Sequence, residues 1–213
     1  MNAKDTIPTL LSLPSPFVLE LVTKLLPFSV KKNYPPRRTL TLSSENAHFC
    51  YLISKGSFVL HRQNDDRIVG FGNAPVILGL GNLTQMYIGS YIRTITTCEI
   101  GIIPTHQLFE IIERENLWRP LAEHLLIIGG KLFTIGQQLS APTTYEIIRA
   151  QLLELISENE TIKNSTTVEN YIRLKTNLSR SMIMKILASL KAGGYIELER
   201  GKLIKINSLP KKY

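Results

Sequence analysis

Short runs rich in β-branched and aromatic residues fill the first half of the chain. Six of them predict strands at 38–42, 49–54, 57–62, 67–72, 87–96 and 98–103. Turn-forming stretches such as "KG", "QNDD" and "GNAP" separate these runs. Many short strands at near-regular spacing predict a barrel or a jelly-roll-like sandwich.

Beyond Pro104 the apolar spacing changes to three and four residues, which is typical of helices. The pattern predicts a helix over 106–116, capped by Thr105, and a longer helix over 117–139. One apolar stripe runs along the longer helix and consists of Leu121, Leu125, Ile128, Leu132, Ile135 and Leu139. Such a stripe is most often core, but on a helix that joins two domains it is a natural dimer seam. We therefore predict a dimer interface there.

The remaining third of the chain reads as a second small domain. The stretch "SAPTT" (140–144) is predicted to be a linker and helix cap, followed by a helix over 145–158. A polar loop is predicted at 161–167 and a short helix at 167–176. The predicted domains are therefore 1–115, a linking helix at 116–142, and 143–213.

A short helix within this last domain has two chemically different faces. Ser179 is a good N-cap, and one face beyond it is apolar, with Ile183, Ile186, Leu187 and Leu190. The outward positions are small or basic: Arg180, Ser181, Met184, Lys185 and Ala188. A helix with such a face can enter the major groove of DNA, and its N-terminus can approach phosphates.

A glycine pair and a hairpin follow this helix. Gly193-Gly194 is predicted to end it in the left-handed conformation. Two short strands around "RG" then form a hairpin whose tip carries Arg200 and Lys202. This arrangement is that of a winged helix-turn-helix. The alternative is a helical pair and hairpin that only pack against another structure.

Charge supports the DNA-binding interpretation. The net charge is +8, yet the last 39 residues hold nine basic residues and two acids. A charge run is usually a solvated face, but here it coincides with the motif, which favours a phosphate-binding surface. Apolar (44%) and charged (20%) fractions are those of a globular protein.

Other functional classes find little support in the residues. Cys50 and Cys98 are expected to be reduced and mostly buried, although a redox pair is the alternative. The four histidines (His48, His61, His106 and His124) lack metal-ligand spacing, so no metal or cofactor is expected.

The sequence has no nucleotide-binding glycine loop and no paired nucleophile and base, so an enzyme is not expected. No membrane span or signal peptide is apparent, so the cytoplasm is expected.

Two motifs carry a family resemblance over nearly the whole chain. "YLISKGSFVL" and "LSRSMIMKILASLKAGGYI" resemble the CRP/FNR superfamily of bacterial transcription regulators. The resemblance implies an α+β protein: a cyclic-nucleotide-binding-like β-roll (jelly roll), a long dimerisation helix and a winged helix-turn-helix. It also places Ser179, Arg180 and Lys185 at DNA-contacting positions, with Ser181 where the superfamily usually has an acid.

The stretches "YEIIRAQLLELI", "NYI", "GGYIE" and "GKLIKINSLP" resemble one branch of that superfamily, the IprA-type regulators known as inhibitors of hydrogen peroxide resistance. The branch implies control of oxidative-stress genes. The resemblance also implies a homodimer on a pseudo-palindromic operator in double-stranded DNA, with RNA polymerase as a further partner.

The effector pocket departs from the superfamily pattern. Cyclic-nucleotide binders carry Gly-Glu and Arg-Ser where this chain has Gly79-Leu80 and Ile88-Gly89. A cyclic phosphate there would lose its charge-assisted bonds, so we predict no response to cyclic AMP or GMP. The pocket is then either an apolar cavity or filled in. The competing hypothesis for the whole protein is a winged helix that binds another protein.

Overall fold

A computed structural model describes residues 14–44, 47–83 and 89–210 of the 213-residue chain. The chain forms two compact units, one covering 14–129 and the other beginning at Gly130. The division falls between Gly129 and Gly130, inside the helix Trp118–Leu139. Within the described ranges, no helix is both long and apolar enough to cross a membrane.

The first unit begins with a helix and continues as antiparallel strands. Helix α1 (Pro16–Leu25) leads through a 3₁₀ turn (Leu26–Phe28) into the strands. The strands are β1 (Val30–Tyr34), β2 (Thr39–Thr41), β3 (Ser43–Ser44), β4 (Ala47–Lys55), β5 (Ser57–Arg62), β6 (Ile68–Asn73), β7 (Val76–Leu78), β8 (Ser90–Thr94) and β9 (Cys98–Pro104). One sheet has the order β1-β9-β4-β3, with β7 also on β4, and the other has the order β2-β8-β5-β6. This is the predicted β-roll.

Strand β4 shows why the apolar runs predicted strands well. Cys50 and Leu52 point into a core shared with α1, whereas Tyr51 and Ile53 point into the core between the two sheets. Because both faces are buried, the strand reads as a continuous apolar run. The other predicted strands are confirmed with boundary shifts of a few residues, although 87–88 lie outside the described residues.

Strand β1 was not predicted, because nearly all of its side chains are exposed. It is held as an edge strand by backbone pairing with β9, from Val30 opposite Ile102 to Tyr34 opposite Cys98. Helix α1 and strand β7 were also missed. Helix α1 buries Val18, Leu21 and Leu25 against the sheet.

Two helices follow β9. Helix α2 (Thr105–Arg114) and helix α3 (Trp118–Leu139) match the predicted segments. The predicted cap at Thr105 is wrong: Thr105 is already helical, and its buried hydroxyl lies 3.8 Å from the Cys50 sulfur.

The second unit is a compact set of helices followed by a hairpin. Its elements are α4 (Thr144–Ser157), α5 (Glu160–Ser165), α6 (Val168–Lys175), α7 (Arg180–Ala192), β10 (Ile196–Glu199) and β11 (Lys202–Ile206). Thr143 caps α4 through a reciprocal capping box with Glu146. The loop predicted at 161–167 is wrong, because α5 occupies most of it. Asn159 caps α5, and Ile162 is fully buried.

Cys50 and Cys98 are both buried free thiols, and no disulfide joins them. Burial raises the pKa of the Cys50 thiol from 9.0 to about 11, an effect that the Thr105 hydroxyl partly opposes. Burial also raises the pKa of Cys98. Both thiols are therefore poor nucleophiles at neutral pH.

We predict that Cys50 in the native protein resists alkylation. Its raised pKa lowers the thiolate fraction at pH 8 by about a hundredfold, and burial adds a steric barrier. Iodoacetamide labelling followed by mass spectrometry should show slow modification in buffer and rapid modification in guanidinium chloride. Equal labelling rates in the two conditions would contradict this assignment.

Candidate nucleic-acid interface

Helices α6 and α7 form the helix-turn-helix. Helix α6 buries Val168, Tyr171 and Ile172. Helix α7 buries Ile183, Leu187 and Leu190, three of the four positions predicted for its inner face, while Ile186 is half-buried. The inward stripe fixes the rotation of α7, so its opposite face must point to solvent.

The outward face of α7 carries the residues predicted to contact DNA. Ser179, Arg180, Ser181, Met184, Lys185 and Ala188 are all exposed. The Arg180 side chain is 77% exposed. The face has two cations and otherwise only one large side chain, that of Met184, so it can approach another surface closely.

Ser179 shapes the start of this helix as predicted. Its hydroxyl accepts a hydrogen bond from the Met182 amide at 3.3 Å, which satisfies one of the amides that a helix N-terminus leaves unpaired. The positive end of the helix dipole therefore lies beside Arg180, where an anion is favoured.

The hairpin after α7 is the predicted wing. Arg200 and Gly201 form its turn with φ of 48° and 80°, and the left-handed region at both positions is that of a tight I′ hairpin turn. Arg200 is exposed at the tip, and Lys202 is half-buried. Ile196 and Leu203 anchor the hairpin in the core.

Of the glycine pair before the wing, only the second has the predicted conformation. Gly194 has φ of +69°, whereas Gly193 has φ of −77°. Gly193 is small for a different reason: a Cβ atom there would lie 2.5 Å from the Tyr195 ring. The prediction of a left-handed residue is wrong for Gly193 and confirmed for Gly194.

Lys175 does not belong to the basic surface, although the sequence counted it there. Its ammonium group is buried and donates to Glu154 at 2.5 Å and to the Tyr171 hydroxyl at 3.2 Å. It also lies 4.7 Å from the Tyr171 ring centroid. Among the described residues from Lys175 onward, the exposed cations are Arg180, Lys185, Lys191, Arg200 and Lys205.

Glu158 completes this buried cluster. Its pKa is raised from 4.5 to about 7, first by burial and then by the neighbouring Glu154 carboxylate, with Lys175 acting in the opposite direction. The side chain is buried at the end of α4, so its charged form is costly.

The residues of the predicted effector pocket are only partly described. Gly79 has φ of +91°, and Leu80 packs against the core that contains α1. Gly89 accepts a backbone hydrogen bond from Gln63 at 2.8 Å, and Ile88 lies outside the described residues. An apolar side chain thus occupies the position where the resemblance expects a carboxylate.

The predicted dimer stripe is divided between core and surface. Leu121 is buried in the β-domain core, so it is not available as a surface contact. Leu125, Leu132 and Leu139 are exposed, and Ile128 and Ile135 are half-buried. Two further exposed apolar residues on α3, Leu126 and Phe133, were not predicted. At 3.6 residues per turn they lie roughly 120–140° around the helix from the stripe and form a separate apolar surface.

Comparison with known proteins finds relatives along most of the chain. A family model described as winged helix-turn-helix DNA binding matches residues 144–211. The protein named "Inhibitor of hydrogen peroxide resistance" in Escherichia coli (strain K12) is 34% identical over 178 residues. This match covers 83% of the present chain and 86% of that protein.

Solved structures show the same fold at lower identity. The c-di-GMP-responsive global regulator CLP of Xanthomonas campestris matches with a TM-score of 0.70 and 18% identity, over 89% of this chain and 100% of that one. A transcriptional regulator of the CRP/FNR family from Eubacterium rectale matches with a TM-score of 0.63 and 14% identity, over 91% of this chain and 94% of that one.

We predict that Glu158 makes the protein less stable as the pH rises. The folded state binds this proton more tightly than the unfolded state, so stability falls between about pH 4.5 and 7 and stays lower above that range. The loss should be about 3 kcal/mol at most. Glu158→Gln should remove this part of the pH dependence in urea unfolding. The exposed Glu160→Gln is the control, and identical pH profiles for wild type and Glu158→Gln would refute the prediction.

Proposed function

Because the chain belongs to the family of proteins named inhibitor of hydrogen peroxide resistance, we propose that it is a DNA-binding transcriptional regulator. It acts as a homodimer on a pseudo-palindromic operator and controls genes of hydrogen peroxide resistance. It has the fold of CRP/FNR regulators, and no catalytic activity is proposed for it.

The outward face of α7 carries this proposal. Arg180 and Lys185 stand on an exposed surface whose other members are mostly small, and Arg180 lies in the first turn of α7, at the positive end of the helix dipole. In the major groove, an arginine can donate two hydrogen bonds to guanine, while a lysine contacts a base or a phosphate. Arg200 at the wing tip would add a phosphate contact that sets the register of the protein on the duplex.

The exposed stripe of α3 supports the proposed dimer. Leu125, Leu132 and Leu139 repeat every seven residues and present apolar surface to water. Pairing with the same stripe of a second chain would remove that surface from water. Two recognition helices about one DNA turn apart, roughly 34–36 Å, would then read the two half-sites.

The proposed regulator does not respond to cyclic AMP or cyclic GMP. Leu80 packs into the core where a ribose-binding carboxylate would be needed, and an apolar side chain cannot replace its hydrogen bonds. The buried Cys50 and Cys98 thiols give no support to direct oxidation by peroxide. The peroxide-related role therefore rests on the relatives' names, and RNA polymerase stays a predicted partner.

A winged helix that binds another protein is the second candidate. Met182 and Met184 are both exposed on α7, and exposed methionines are common on adaptable protein-binding surfaces. The two candidates differ in their salt dependence, because phosphate neutralisation releases counterions and a protein interface need not.

We predict that Arg180→Ala and Lys185→Ala weaken DNA binding without unfolding the domain. Each should cost about 1–3 kcal/mol of binding free energy if the side chain contacts a base. The measurement is duplex binding by fluorescence anisotropy, with thermal unfolding to verify the fold. Lys163→Ala, a cation paired with Glu160 on α5, is the matched control. Wild-type affinity in both variants and in the double variant would exclude this face.

We also predict that Ile128→Glu produces a monomer. The added charge would be buried without a partner in the proposed seam. Gln137→Glu adds the same charge at an exposed position on the other side of α3, and should leave a dimer. Sedimentation of both variants gives the answer. If Ile128→Glu instead destabilises an already monomeric protein, the stripe packs within its own chain and the dimer is wrong.

A further inference from the structure

Glu169, in the first turn of α6, lies between two arginines that belong to different helices. Its carboxylate accepts a hydrogen bond from Arg173 at 2.9 Å and lies 4.0 Å from the Arg180 guanidinium. Arg173 is fixed in turn by a second hydrogen bond, to the Asn170 side chain at 2.9 Å. Glu169 is only 17% exposed, whereas Arg180 is 77% exposed. A carboxylate held by Arg173 thus faces an exposed cation.

The same turn of α6 also holds the wing. The Val168 amide donates to the Gly201 carbonyl at 2.8 Å. A Cβ atom on Gly201 would lie 3.3 Å from the Thr167 methyl group, so the wing turn packs closely on the start of α6. The first turn of α6 is therefore in contact with both elements proposed to touch DNA, the wing and the start of α7.

We propose that Glu169 is a positioning residue for Arg180 and helps to set its sequence specificity, an inference that rests on the proposed function. An exposed arginine samples many rotamers, and each one lost on binding costs entropy. The Glu169 carboxylate attracts the guanidinium towards the helix junction and limits that sampling before DNA arrives. Because Arg173 restrains Glu169, the carboxylate keeps its position while Arg180 moves.

The carboxylate also changes which DNA groups Arg180 prefers. Phosphates attract any cation through long-range charge, and a neighbouring carboxylate weakens this attraction. A guanine edge instead requires two directed hydrogen bonds, which a restrained guanidinium makes at lower entropic cost. Glu169 should therefore reduce non-specific binding and sharpen the preference for one base in each half-site.

The test compares Glu169→Gln with Glu160→Gln in the full-length protein. Both substitutions remove one negative charge from the same domain, and both are isosteric, but Glu160 pairs with Lys163 and contacts neither arginine. Binding to a library of random-sequence duplexes, followed by sequencing, gives the base preference at every position. Binding to one fixed random duplex gives the non-specific affinity.

We expect Glu169→Gln to flatten the preference at one base position per half-site and to leave the others unchanged. The ratio of specific to non-specific affinity should fall about two- to fivefold relative to Glu160→Gln, the range for an exposed ion pair. In an Arg180→Ala background, Glu169→Gln should have no effect beyond that of Glu160→Gln. A role confined to folding would lower affinity at all positions alike.

The outcomes separate this inference from the function on which it rests. A wild-type protein that selects sequences, with Glu169→Gln indistinguishable from Glu160→Gln, overturns the role of Glu169 alone. The same holds if Glu169→Gln acts equally with and without Arg180. A wild-type protein with no duplex binding overturns the proposed function and this inference together.

Discussion

Burial of one face of α7 is the constraint on which the proposed interface depends. Ile183, Leu187 and Leu190 are almost completely removed from water, and each contributes about 1.5–3 kcal/mol to holding the helix in place. Since a helix has 3.6 residues per turn, fixing these three side chains also fixes where Arg180 and Lys185 point. The surface that is proposed to read DNA is thus a consequence of the packing beneath it.

The caps and turns at the ends of the helices and strands also help to position the proposed interface. Ser179 starts α7, Gly194 redirects the chain after it, and Gly201 closes the wing turn. Each position has a backbone or capping requirement that few residue types meet at low cost. The first turn of α6 then ties the wing to the helix pair through the Val168 amide. Local backbone chemistry and core packing therefore act on the same small surface.

The sequence predicted those features that have a strong local pattern. Strand β4 was recognisable as a continuous apolar run, and helix α7 by apolar residues spaced three and four apart; both patterns follow directly from burial. Strand β1 was missed because its pairing with β9 uses backbone groups and leaves its side chains exposed. Helix α5 was missed because its sequence is mostly polar and only one of its side chains, that of Ile162, is buried, which leaves no apolar period to recognise.

Electrostatic contacts between distant residues were the least predictable part of the site. From the sequence, Lys175 on α6 was counted as a surface cation. In the structure it pairs with Glu154, 21 residues earlier, and the two side chains are buried. Likewise, nothing in the spacing of Glu169 and Arg180 indicates that they meet, since they lie on different helices. Charge counts from sequence give the sign of a surface, but only the packed structure shows which charges are available to a partner.

The salt dependence of double-stranded DNA binding by the wild-type protein tests the central claim most directly. Anisotropy of a labelled duplex, measured from low to high potassium chloride, gives log Kd against log salt concentration. If α7 and the wing neutralise several phosphates, affinity should fall steeply, with a slope of about −0.9 in log affinity for each phosphate contacted. Binding that is absent at low salt, or that hardly changes with salt, would contradict the account.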